Sequence, residues 1–89
     1  MPLSGMDIGQ VRSLARQMHQ DAADMEREIG TLTSQIDSAL WSGQDRERFT
    51  SQWRHQHVAA LRRVVSGLEN ASRQAYEYAR RQEEASRSR

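Results

Sequence analysis

His19, His55 and His57 are the side chains in this chain best suited to hold a metal or move a proton. Helical metal ligands need a spacing of three or four residues. His55 and His57 are two apart, so a helix turns them about 200° away from each other. That spacing predicts no metal centre, and His57 reads as a partly buried, hydrogen-bonded histidine. No nucleophile has a base near it in sequence. No glycine loop could cradle a phosphate, and the Glu-x-x-His spacing of carboxylate bundles is absent. The expectation is a protein that is not an enzyme, with no catalytic residue, no metal and no cofactor. There are no cysteines, which excludes a disulfide framework and a thiolate site but leaves the compartment open.

The remaining chemistry is charge. The net charge is +1 and every basic residue is arginine. Residues 1–42 carry three Arg and six acids, whereas residues 43–89 carry ten Arg and six acids. This imbalance is that of two arms of opposite sign folded together. A nucleic-acid track is the alternative. However, Glu69, Glu77, Glu83 and Glu84 interrupt the C-terminal arginines, and no regular aromatic row is present on which bases could stack. The longest apolar run is Val58-Ala59-Ala60-Leu61, too short for stable membrane insertion. The first thirteen residues lack a basic start and an apolar h-region, so no secretory signal peptide is expected.

Groups of this kind must be positioned by helices. Ile8, Val11, Ala15, Met18, Ala22, Met25, Ile29, Leu32, Ile36 and Ala39 recur with 3-4 spacing, the period of a helix that buries one stripe. Two starts fit: Ser4 capping with Asp7, stapled by Leu3 and Ile8, or Asp7 capping with Gln10. The second arm carries Phe49, Trp53, Ala60, Leu61, Val64, Val65, Leu68, Ala71, Ala75 and Tyr78. Its spacing is regular from Leu61 onward and looser before it. Gly30 and Gly67 lie inside the arms. The charged end after Tyr78 is expected to fray between Arg81 and Ala85.

Between the arms stands Trp41-Ser42-Gly43. Glycine can take the angles of a tight reversal, and tryptophan can fill the gap between two helices near a turn. Asp45 and Glu47 then fall where the dipole of a new helix favours anions. The reading is all-α: one hairpin over residues 1–85, with a helix over 7–40, a turn over 41–44, a helix over 45–82 and a disordered tail over 86–89. Folding about this corner brings Leu32 near Trp53, Met25 near Ala60, Met18 near Leu68 and Ile8 near Tyr78. Two helices alone bury little, so a second hairpin is expected to complete a four-helix bundle. The residues expected in the core or the dimer seam are Val11, Met18, Met25, Ile29, Leu32, Ile36, Phe49, Trp53, Leu61, Val64 and Leu68.

A Trp-x-Gly tripeptide at the centre of two uninterrupted helical arms resembles the WXG family, the small Esx-like proteins of type VII secretion. Phe49 and Trp53 after the corner, then Leu61, Val64, Leu68, Ala71, Ala75 and a late tyrosine, extend the resemblance from about Asp7 to about Glu84. It implies a hairpin that dimerises with itself or with a related WXG-type hairpin. It also implies export of the folded dimer, without a cleaved signal peptide, through a membrane complex powered by the type VII secretion ATPase. The location would then be cytoplasmic before export and secreted or at the cell surface afterwards. The family's signal joins the corner to a tyrosine followed four residues later by an acid. Here Arg80 follows Tyr76 and Gln82 follows Tyr78 at that distance, while Glu83 is one position late. Tyr76, Tyr78 and Glu83 are therefore candidates for a degenerate form of that signal, and the alternative reading of the two tyrosines is as core residues at the open end of the hairpin. The implied role is a non-enzymatic secretion substrate or a co-secreted partner. A cytosolic adaptor for a larger exported protein, and an Arg-rich nucleic-acid or membrane-surface binder, are the alternatives.

Overall fold

The computed structural model describes residues 7–39 and 43–87. They are helical almost throughout, and no strand occurs among them. Helix α1 spans Ile8–Ser38, and α2 spans Gly43–Gln52. A π-helical stretch, Trp53–Val58, leads into α3, Ala59–Arg87. Of the two possible starts, Asp7 caps α1: its carboxylate accepts from the Gln10 backbone N–H at 2.7 Å, and the Gln10 side chain accepts from the Asp7 N–H at 3.2 Å. Each atom satisfies a donor that the helix leaves without a partner. Ser4 and Leu3 lie outside the described residues.

α1 stops two residues before the expected end at residue 40. Ala39 is extended, with ψ 144°, and its N–H reaches the Ile36 carbonyl at 3.3 Å. The second arm starts at Gly43, within the expected turn, because Gly43 is already helical. Its φ lies outside the left-handed region, and a Cβ there would meet nothing within 4 Å. Gly43 is thus the first residue of the new helix and not the residue that turns the chain. Trp41 and Ser42 lie outside the described residues.

The far end also differs from expectation. α3 continues to Arg87, past the expected end at residue 82 and past the expected fraying zone, so residues 86 and 87 are helical and not tail. Ion pairs one turn apart account for this. Arg80 contacts Glu77 at 2.8 Å and Glu84 at 3.5 Å, and Arg87 contacts Glu83 at 3.6 Å. Pairs three and four apart support a helix that has little else to hold it.

α1 and α3 lie antiparallel along a heptad seam. The buried row of α3 is Val58, Val65, Ser72 and Ala79, and α1 answers with Ala15, Ala22 and Ile29, together with Val11. Ala15, Ala22 and Ala79 are fully covered; alanines of this kind let two backbones approach closely. Ser72 fits the row because its hydroxyl donates to the Ala15 carbonyl across the gap at 2.7 Å, which satisfies a buried polar atom. Ala22, Ile29, Val58 and Val65 form the central cluster, with Met25, Trp53, Leu61 and Leu68 packed against it. The result is a rod 68 Å long and 18 × 17 Å across.

The π-helical stretch explains the loose spacing before Leu61. Trp53 and Val58 are five apart, and an α-helix would turn them onto different faces. A π turn takes one more residue, so both return to the side facing α1. Trp53 meets Thr33, the neighbour of the expected Leu32.

Candidate functional site

The heptad seam divides the surface of the hairpin into two flanks. Residues four after a seam position build the first. Glu26 on α1 faces Arg62 on α3 at 3.2 Å, and Arg12, one turn before Ala15, faces Glu83 at 2.6 Å. Thr33 belongs to the same flank. Its hydroxyl accepts the Trp53 indole N–H at 2.8 Å and donates to the Ile29 carbonyl at 2.7 Å. This flank is closed by polar bonds between the two helices.

Residues three after a seam position build the other flank: Met18, Met25 and Leu32 on α1, Leu61, Leu68 and Ala75 on α3. All six are half-buried. Beyond them Leu14 and Val64 are 45% and 50% exposed. The ion pairs that join the two arms, Arg12–Glu83, Glu26–Arg62 and Arg54–Asp37, lie on the closed flank or near the turn. Apart from the buried Val11, Ile29, Val58 and Val65, the large apolar side chains of the described residues therefore lie partly in water, while the fully covered positions are alanines. No large side chain among the described residues is completely buried.

The residues expected in the core or dimer seam divide accordingly. Val11 and Ile29 are buried; Met18, Met25, Leu32, Ile36, Trp53, Leu61 and Leu68 are half-buried; Phe49 and Val64 are exposed. Val58, Ser72 and Ala79 are buried but were not among the expected seam residues. A strict seven-residue step from Val65 would have found all three, but two of them are too small or too polar for a hydropathy pattern to select. Ala60, expected inward, is exposed because Val58 takes the seam.

Near the turn, Asp37 gathers two arginines from the second arm. Its backbone carbonyl accepts from Arg46 at 2.6 Å, and its carboxylate accepts from Arg54 at 2.9 Å. A shallow polar depression there is lined by Asp37, Gly43, Arg46, Glu47, Thr50, Ser51 and His55. His57 is exposed, contrary to the partly buried state expected of it, and stands with its ring centroid 6.0 Å from that of Trp53. The π turn moves the inward direction from position 57 to Val58. No cluster of three metal-ligating side chains occurs among the described residues, and no helix there is long and apolar enough to cross a membrane.

At the open end, Tyr76 is 41% exposed and Tyr78 is half-buried. Glu83 lies seven residues after Tyr76 and five after Tyr78 and is tied across to α1. The hydrogen bond from Arg12, and then the charge of that guanidinium, hold the Glu83 carboxyl below the usual glutamate range. Arg80 lowers Glu77 in the same way, and Glu77 raises Arg80 in return. So Glu83, the acid of the degenerate signal, is engaged in closing the hairpin. No protein family, curated protein or solved structure matches this chain.

Proposed function

We propose that this chain is a non-enzymatic hairpin protein of the WXG, Esx-like type. In this reading it leaves the cell by type VII secretion as a folded helical dimer, either as a substrate or as a co-secreted partner. The observation that carries the reading is the position of the reversal. α1 ends at Ser38 and α2 begins at Gly43, on either side of Trp41-Ser42, with a long helical arm on each side. The half-exposed flank of Met18, Met25, Leu32, Leu61 and Leu68 supports the dimer part. Burying that surface needs a second helical hairpin, and four helices give these side chains a common core.

The test is export. The chain is expressed in a bacterium with a type VII system, beside the same strain with the system's ATPase deleted. Appearance in the medium only in the intact strain is expected. Retention in the intact strain, while that system exports its other substrates, overturns the proposal. Trp41→Ala and Tyr78→Ala, checked for normal helicity, then separate the two halves of the signal: a substrate carrying its own signal loses export in both.

A further inference from the structure

The seam does not reach the segment beside the turn. We infer that α2 opens on its own: Gly43–Gln52 unwinds from the end of α1 while the seam from Trp53 onward stays closed, and the π-helical stretch is the boundary between the two. Such opening needs neither export nor a partner.

α2 has little to hold it. Counting back from Trp53 by three, four and seven residues, positions 50, 49 and 46 turn toward α1. Thr50 there is half-buried, Phe49 is 43% exposed and Arg46 is exposed. Where the second arm later sets Val58 and Val65 against α1, α2 offers an arginine and a threonine, and none of its residues is buried. The Thr50 hydroxyl oxygen is itself covered and has no hydrogen-bond partner, a cost that opening returns. The polar depression between Asp37, Arg46 and Thr50 takes the place of packed side chains. What remains are the two arginines on Asp37, Arg46 at its carbonyl and Arg54 at its carboxylate. Exposed ties of this kind contribute little in water.

The π stretch sets where the opening stops. A helix of ten residues is marginal alone in water. α2 would gain from α3 if one hydrogen-bond ladder ran through both, because lengthening an existing helix avoids the nucleation step. Over Trp53–Val58 that ladder changes to bonds five residues apart, so α2 is not a plain continuation of α3. The stretch is also pinned to α1 at both ends. Its first residue donates the Trp53 indole N–H to Thr33, which in turn donates to the Ile29 carbonyl. Its last residue, Val58, is buried in the cluster that holds Ile29. Both pins thus land on one turn of α1. The molecule yields from the turn outward, and a protease can take Gly43–Gln52 as extended chain while the two long helices stay paired.

Trypsin reads this directly, because the chain has no lysine and its arginines are spread along both arms. Cleavage after Arg46 or Arg48 requires α2 to unwind. Cleavage after Arg27 or Arg62 requires the seam to open, although those side chains are 69% and 61% exposed. The full native chain is treated with dilute protease, and initial cuts are timed by mass spectrometry, so that rates follow the population of each open form. Cuts after Arg46 and Arg48 are expected about tenfold or more faster than cuts after Arg27 and Arg62. Low urea should accelerate the seam cuts and leave the α2 cuts nearly unchanged, since opening α2 exposes little new surface. Equal rates at the four sites, or a parallel rise in urea, overturn the inference, because the hairpin then opens only as a whole. Two variants test the boundary. Thr33→Val removes the acceptor of the Trp53 indole and should raise the cut after Arg54 to the rate of the α2 cuts, with Arg62 unchanged. Deleting Gln56 restores one ladder and should slow the α2 cuts several-fold. If neither variant shifts its cuts, the π stretch is not the boundary and that part of the inference falls.

Discussion

Truncating Ile29 to alanine tests whether the alanine-rich seam is what closes the hairpin. Ile29 is 3% exposed and sits in the central cluster with Ala22, Val58 and Val65. The substitution removes three carbon groups, worth about 2.4 kcal/mol at roughly 0.8 kcal/mol each. The cavity adds to that where the surroundings cannot relax, which gives the usual range of about 2–5 kcal/mol. Here the neighbours Met25, Trp53, Leu61 and Leu68 are only partly buried, so they have room to move in. The expected loss is therefore near the lower end, about 2.5 kcal/mol, equivalent to a fall in Tm of roughly 10–20 °C for a domain of this size. The assay is urea unfolding followed by far-ultraviolet circular dichroism, repeated over a hundredfold range of protein concentration. Val64→Ala, at a position 50% exposed, is the comparison. In a single hairpin it should change stability little; in a dimer it should lower stability in a concentration-dependent way. A loss below about 0.5 kcal/mol for Ile29→Ala, the size typical of plain surface changes, would show that the helices close along some other line.

Three further expectations follow from particular side chains. Gly30→Ala should stabilise the chain by about 1 kcal/mol, since Gly30 is helical and a Cβ there meets nothing within 4 Å; a thermal melt reads the gain. Glu83→Gln should destabilise the hairpin at neutral pH and make no difference in acid. The folded-state pKa of Glu83 is depressed by Arg12, so its contribution is present above the ordinary glutamate value of about 4.3 and is lost as pH falls through its lower folded value. Melts of both proteins across that window should converge on the acid side. Deleting Gln56 should convert the π-helical stretch into regular helix at little expense. Deleting Ser66, in regular helix, should turn one half of the seam about 100° away from α1 and lower the urea midpoint far more.

The first arm was readable from its residues. Its 3-4 pattern is regular, and Asp7 with Gln10 has the spacing of a reciprocal cap, which the structure forms. The second arm was legible as helix but not in its phase. Hydropathy selects Ala60, Val64 and Val65, whereas the buried row runs through Val58, Val65, Ser72 and Ala79. Two causes combine. The five-residue step from Trp53 to Val58 suits a π turn, and a search for 3.6 periodicity passes over it. Ser72 earns its buried place through one bond to a carbonyl 57 positions earlier in sequence, which no local pattern contains. The helical end was missed for a similar reason: a run of Arg and Glu reads as a tail until the pairs at three and four apart are counted. The two polar flank bonds, Arg12–Glu83 and Glu26–Arg62, depend on register and could not be assigned before it was known.

The rod shape has a consequence at the bench. The radius of gyration is 19.6 Å, and a compact chain of that size would hold roughly 300 residues. Friction in solution follows extent and not mass. A single hairpin will therefore leave a sizing column well ahead of spherical standards of 10.3 kDa and pass for an oligomer. Stoichiometry for this molecule has to come from scattering intensity or sedimentation equilibrium, which weigh the particle directly. A dimer formed side by side, with little added length, would elute only slightly earlier than the monomer while its mass doubles.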